Sequence, residues 1–109
     1  MLMAALLWVT GAWAQGASAP MGSQVSHGAD QMNQTMKSGM DAMTKMPMSG
    51  DTDKDFATMM KMHHQQALDM AKIEIQHGKS PELKAMASKM MKDQKREIQQ
   101  LDAWLKKHP

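Results

Sequence analysis

The stretch Gln76-His77-Gly78-Lys79-Ser80-Pro81-Glu82-Leu83 (QHGKSPEL, residues 76–83) decides the fold. Gly78 suits the left-handed position just past a helix C-terminus. Ser80 is an N-cap residue, Pro81 fits the first helical position and Glu82 places an early acid near the positive helix end. One helix therefore ends at His77 and another starts at Pro81. Upstream, Asp51, Thr52 and Asp53 supply capping oxygens and negative charge for the first helix. Phe56, Met59, Met60, His63, Ala67, Met70, Ala71 and Glu74 recur at the three-and-four spacing of an inward stripe. Downstream, Leu83, Met86, Ala87, Met90, Gln94, Ile98, Leu101 and Leu105 repeat the pattern with Trp104 alongside, and Lys106, Lys107 and His108 suit the negative end. Two helices of roughly 25 residues joined by three must fold back as an antiparallel hairpin.

Neither helix can bury its stripe alone, so a third helix or a second hairpin is needed. The predicted class is all-α: a hairpin completed as a three-helix bundle or a dimeric four-helix bundle. The third helix is read over Asp30 to Met43, where Met32, Met36, Met40 and Met43 follow at four, four and three. Gly39 weakens it by about 1 kcal/mol against Ala. Met46-Pro47-Met48-Ser49-Gly50 ends it as a turn-prone linker, and residues 15–28 read as a flexible leader.

The N-terminus MLMAALLWVTGAWAQ carries a short apolar run and the small-x-small sequence Ala12-Trp13-Ala14. It reads as a secretory signal peptide cleaved after Ala14, too short to span a core of roughly 30 Å. No Lys or Arg precedes the run, so either the start codon is assigned too late or the signal is a weak one. The predicted organisation is a signal peptide over 1–14, a leader and Met-rich segment over 15–50, and a helical-hairpin metal-binding domain over 51–109. A periplasmic or otherwise exported location and no membrane span in the mature chain follow. Cysteine is absent, so no disulfide can stabilise the small chain.

Sixteen of the 109 residues are methionine, seven of them in 21–48 and seven in 59–91. Thioether sulfur is soft, neutral and needs no deprotonation, which suits Cu(I) and Ag(I); imidazole suits copper in either oxidation state, Cu(II) included. In an oxidising compartment methionine and histidine are the soft and borderline ligands that remain. Met60 stands three and four residues before His63 and His64, and Met59 four before His63, so each pair can face one ion. His63 falls on the inward stripe, whereas His64 is open to the alternative of facing solvent. Met70 lies two turns beyond His63, and Met86, Met90 and Met91 on the opposing helix can complete a site. Met70, Met86 and Met90 read equally as core filler. The row Met32, Met36, Met40 and Met43 has too little aliphatic company for a core. Glu74-x-x-His77 is half of a di-iron carboxylate motif, which only a dimer could complete. Lysines alternating with acids and a net charge of +2 leave no basic groove for nucleic acid, and no nucleophile–base pair or phosphate loop suggests an enzyme.

Asp53-x-Asp55-Phe56, Met60-x-x-His63-His64-x-x-Ala67-x-x-Met70-Ala71, Gly78 and Gln94-x-x-Glu97-Ile98-x-x-Leu101-x-x-Trp104-Leu105 together resemble the bacterial domain-of-unknown-function family 305 over about residues 53–105. The resemblance implies a ferritin-like helical bundle, usually exported, with Cu(I) or Ag(I) binding in copper tolerance among studied members. Carried over, it favours Met60, His63, His64 and Met70 as ligands. Met62 stands where the family commonly has proline, and Met86, Met90 and Met91 where it is more often aliphatic. The segment before residue 50 more loosely resembles the Met/His-rich tracts of periplasmic copper and silver sponge proteins.

The expectation is an exported, non-enzymatic Cu(I) and Ag(I) buffer or carrier. Its predicted ligands are Met59, Met60, His63, His64, Met70, His77, Met86 and Met90, joined by Met32, Met36, Met40 and Met43. A copper efflux or oxidase protein and a second copy of the chain are the expected partners. The alternative is a metal-free helical dimerisation module, with a di-iron enzyme third.

Overall fold

A computed structural model describes residues 22–109, with side chains from His27 onward. The predicted signal peptide and the first part of the leader lie outside the described residues. Three helices follow in order: α1 Gly22–Thr44, α2 Thr52–His77 and α3 Pro81–Lys107. Among the described residues there is no strand, and no helix is long and apolar enough to cross a membrane.

The N-caps of α2 and α3 act as the sequence predicts. The Asp51 carboxylate accepts from the Asp53 and Lys54 amides at 3.0 and 3.1 Å, which satisfies two amides that open α2. The Ser80 hydroxyl accepts from the Leu83 amide at 3.2 Å at the start of α3, with Pro81 in its first turn. The linker before α2 is tied down by Asp55, whose carboxylate accepts from the Ser49 amide (2.8 Å), the Ser49 hydroxyl (2.7 Å) and the Gly50 amide (3.3 Å). Gly50 is the described residue that takes positive φ, at 86°, a conformation glycine adopts without steric cost.

Two expectations are corrected. α1 begins at Gly22, ahead of Asp30, so part of the predicted leader is helical. Gly78 is extended, with φ −68° and ψ 156°, not left-handed. Glycine is required there for space: a Cβ would stand 2.5 Å from the Glu74 carbonyl oxygen.

The helices lie side by side with α2 in the middle: α1 packs on α2 and α2 on α3, and among the described residues the α1 and α3 backbones do not pack against each other. Close approach of α1 depends on two glycines. A Cβ at Gly28 would meet the His77 Cβ at 2.6 Å, and one at Gly39 would meet the Gln66 Cδ at 2.5 Å. Gln66 in turn donates to the Met36 carbonyl at 3.1 Å. Five apolar side chains are buried, Ala57, Leu68, Ala71, Ile73 and Ala87, as is Gly28, and none of the described side chains is fully enclosed. Of the stripes predicted to point inward, Ala71 and Ala87 do lie in the seam between the helices, with Ala57 beside them, but the large side chains do not. Alanines let α2 and α3 approach, while Phe56 and His63 of the stripe are exposed. In this single layer the stripe forms an open face.

Candidate functional site

The open face carries a groove between α2 and α3, with two chemically different ends. At the α3 N-terminal end, Met32 from α1, Met70 from α2, and Met86 and Met90 from α3 line one cavity of about 290 Å³ together with Leu83 and Glu74. Each methionine arrives for a local reason. Met70 belongs to the 56–63–70 register of α2; Met86 and Met90 are one turn apart on α3; Met32 is brought in because Gly28 lets α1 lie close against His77. Met86 and Met90 are exposed, while Met32 and Met70 are half-buried. Four thioethers from three helices thus share one opening.

At the other end, Asp53, Phe56, Met60, His64, Glu97, Leu101 and Trp104 line a second cavity, of about 680 Å³. His64 is its inward histidine. Its Nε2 bonds the Glu97 carboxylate on α3, and its side chain is only 13% exposed. Its Nδ1 is buried and has no hydrogen-bond partner among the described residues. His63 is exposed, so the two histidines exchange the roles expected of them; their ring centroids are 6.4 Å apart. Met59 is half-buried and, by its spacing from His63, borders the open face.

The remaining expected residues are dispersed. Of the α1 row, only Met32 reaches the groove; Met36 and Met40 are exposed and Met43 is half-buried outside it. His77 stands edge-on to His27 with ring centroids 5.7 Å apart, and His27 Nε2 is hydrogen-bonded to the Gln31 amide at 3.0 Å. Among the described residues no three His, Asp or Glu side chains converge, so Glu74 and His77 do not assemble with further acids within one chain. Glu97 was not among the predicted site residues. Its signal was present in the sequence, as the acid of Gln94-x-x-Glu97-Ile98 one turn after Gln94 and next to the α3 stripe.

The donor set sorts ions by softness. Thioethers offer no charge and no proton to lose, and suit Cu(I) and Ag(I) over hard cations. The His64–Glu97 pair is the arrangement by which a carboxylate fixes an imidazole and leaves its other nitrogen as the ligand.

A family model described as a domain of unknown function (DUF305) matches residues 3–105 and so spans all three helices. No curated protein matches the chain.

Proposed function

The chain belongs to DUF305, and from that premise we propose that it binds Cu(I), and Ag(I) likewise, as an exported buffer or carrier in copper homeostasis and resistance. The observation that carries this reading is the convergence of Met32, Met70, Met86 and Met90 from three helices on one cavity. A core would enclose such side chains; here Met86 and Met90 are about half-exposed, which is costly for filler and useful for an ion that must enter and leave. Met60 and His64, with Nδ1 free and Nε2 held by Glu97, form a second, harder position that accepts copper in either oxidation state. Open, soft, uncharged positions exchange their ion with a partner such as an efflux or oxidase protein instead of sealing it in.

A competition titration of the protein against a Cu(I) chelator tests this, beside a variant with Met86→Leu and Met90→Leu. Leucine keeps the volume and the apolar character but removes sulfur. The expected result is uptake by the wild type and loss of at least one ion in the variant, with helix content unchanged. Equal uptake by both proteins would remove the groove from the site. No uptake by either would sink the reading.

A further inference from the structure

Among the described residues the open face of α2 and α3 has no second layer, although helices with an apolar stripe are stable only when that stripe is covered. Phe56, Met60, His63, Ala67 and Met70 follow one another at four, three, four and three along α2, and Leu83, Met86, Met90, Glu97 and Trp104 accompany them on α3. Phe56, Leu83, Met86 and Met90 are 61, 51, 54 and 45% exposed. At roughly 200 Å² per large side chain these four alone expose about 400 Å², half of what one partner contributes to a standard interface. Half-buried Met59, Met60, Met70 and Trp104 extend the patch.

The two ends of the face also fit each other. One end bears a knob, the chain's single phenylalanine. The other bears a hole, the cavity of about 290 Å³ lined by Met32, Met70, Leu83, Met86 and Met90. A cavity of about 150 Å³ already accommodates a benzene ring, and thioether sulfur packs well against aromatic rings. Knob and hole lie about 22 Å apart along α2, taking Ala71 as the level of the hole. A two-fold axis in the plane of the face, perpendicular to the helices at the level of His63 and His64, carries the Phe56 of each copy onto the other's hole. We propose that the chain forms a homodimer through this face, with Phe56 of each protomer seated in the methionine cavity of its partner. The symmetry is closed, so the association stops at two. The cavity is the same one proposed for the ion, so the dimer is the metal-free state and an entering ion has to displace Phe56. The inference does not rest on metal binding and is tested without metal.

Sedimentation of the full chain in the presence of a chelator should give a dimer of two 12.1 kDa chains. Phe56→Asp should weaken the dimer at least tenfold with helix content unchanged, because Phe56 is mostly exposed within one protomer. A second measurement fixes the register. The chain has no cysteine, so a double variant with Phe56→Cys and Met86→Cys presents only the introduced pair. The two positions sit at opposite ends of the hairpin, beyond the roughly 7 Å over which a disulfide can form, so a 56–86 link must join two chains. Mild oxidation should yield covalent dimers linked 56 to 86. A monomer at every concentration, including one whose face is covered by residues 1–21 of its own chain, overturns the proposal. So does a dimer that Phe56→Asp leaves intact, or one linked only 56 to 56.

Discussion

The two neighbouring histidines do different work because one residue of helix turns a side chain by about 100°. His64 points into the α2–α3 groove and meets Glu97, while His63 stands on the open face. A carboxylate on Nε2 keeps the proton there and raises the ligand strength of Nδ1. Glu97 should therefore matter to an ion it does not touch. Glu97→Gln preserves the shape but weakens the bond. The expected outcome is about a tenfold loss of Cu(I) affinity at the His64 position, and a stability loss of only about 0.5–1 kcal/mol, because Glu97 is 43% exposed and its pairing is screened. His64→Ala should abolish this position, and His63→Ala should leave most of its affinity. Chelator competition and urea unfolding measure the two effects separately. Wild-type affinity in Glu97→Gln would show that the pair orients nothing.

The hairpin helices α2 and α3 are held by local chemistry at their ends, and the start of α2 is the best anchored. Asp55 reaches back to the Ser49 amide and hydroxyl and to the Gly50 amide. The Ser49 amide is the largest cause holding the Asp55 carboxyl below its usual 3.8; the Ser49 hydroxyl and Gly50 amide add to it, and burial opposes it. A carboxylate with a lowered folded value stabilises the fold fully above its unfolded value, and that contribution is lost as pH falls through the folded value. The Met46–Gly50 linker should thus stay docked at pH 4 and release only at more acid pH. Following the Ser49 amide resonance through an acid titration checks this, since it loses its acceptor when Asp55 protonates. A midpoint at or above 3.8 would contradict the anchoring. Asp55→Asn should remove the acid transition while Asp51, which caps α2 independently, keeps the helix formed.

At the scale of the whole molecule, the hairpin was legible because its punctuation is local: Asp51, Ser80 and Pro81 act on backbone within a few residues of themselves. What covers each stripe was not legible. Periodicity marks a face without naming its neighbour: Ala71 and Ala87 of the predicted stripes do lie in the α2–α3 seam, Ala57 beside them was not on a stripe, and the larger members Phe56, Met86 and Met90 stay exposed. His63 and His64 both border the stripe, so a small change in helix phase exchanged them. Gly78 looked like a left-handed cap by composition, yet its requirement is room beside Glu74 one turn earlier, which depends on the backbone conformation actually taken and not on residue type alone. Among the described residues α1 packs its backbone on α2 alone, so it should open without unfolding the hairpin. Its one sulfur in the groove is Met32, so an ion shared with Met70, Met86 and Met90 would tie α1 down. Ag(I), which does not cycle between oxidation states under these conditions, should slow tryptic cleavage after Lys37, an exposed residue of α1. At silver a hundredfold above the dissociation constant the bound state gains about 2.7 kcal/mol. About a hundredfold slowing is thus the ceiling, reached only if opening α1 releases the ion entirely. Met32→Leu should keep most of the uptake, through the three remaining thioethers, and lose the protection. Protection that survives in Met32→Leu would mean that the ion holds the hairpin alone and that α1 is only packed beside it.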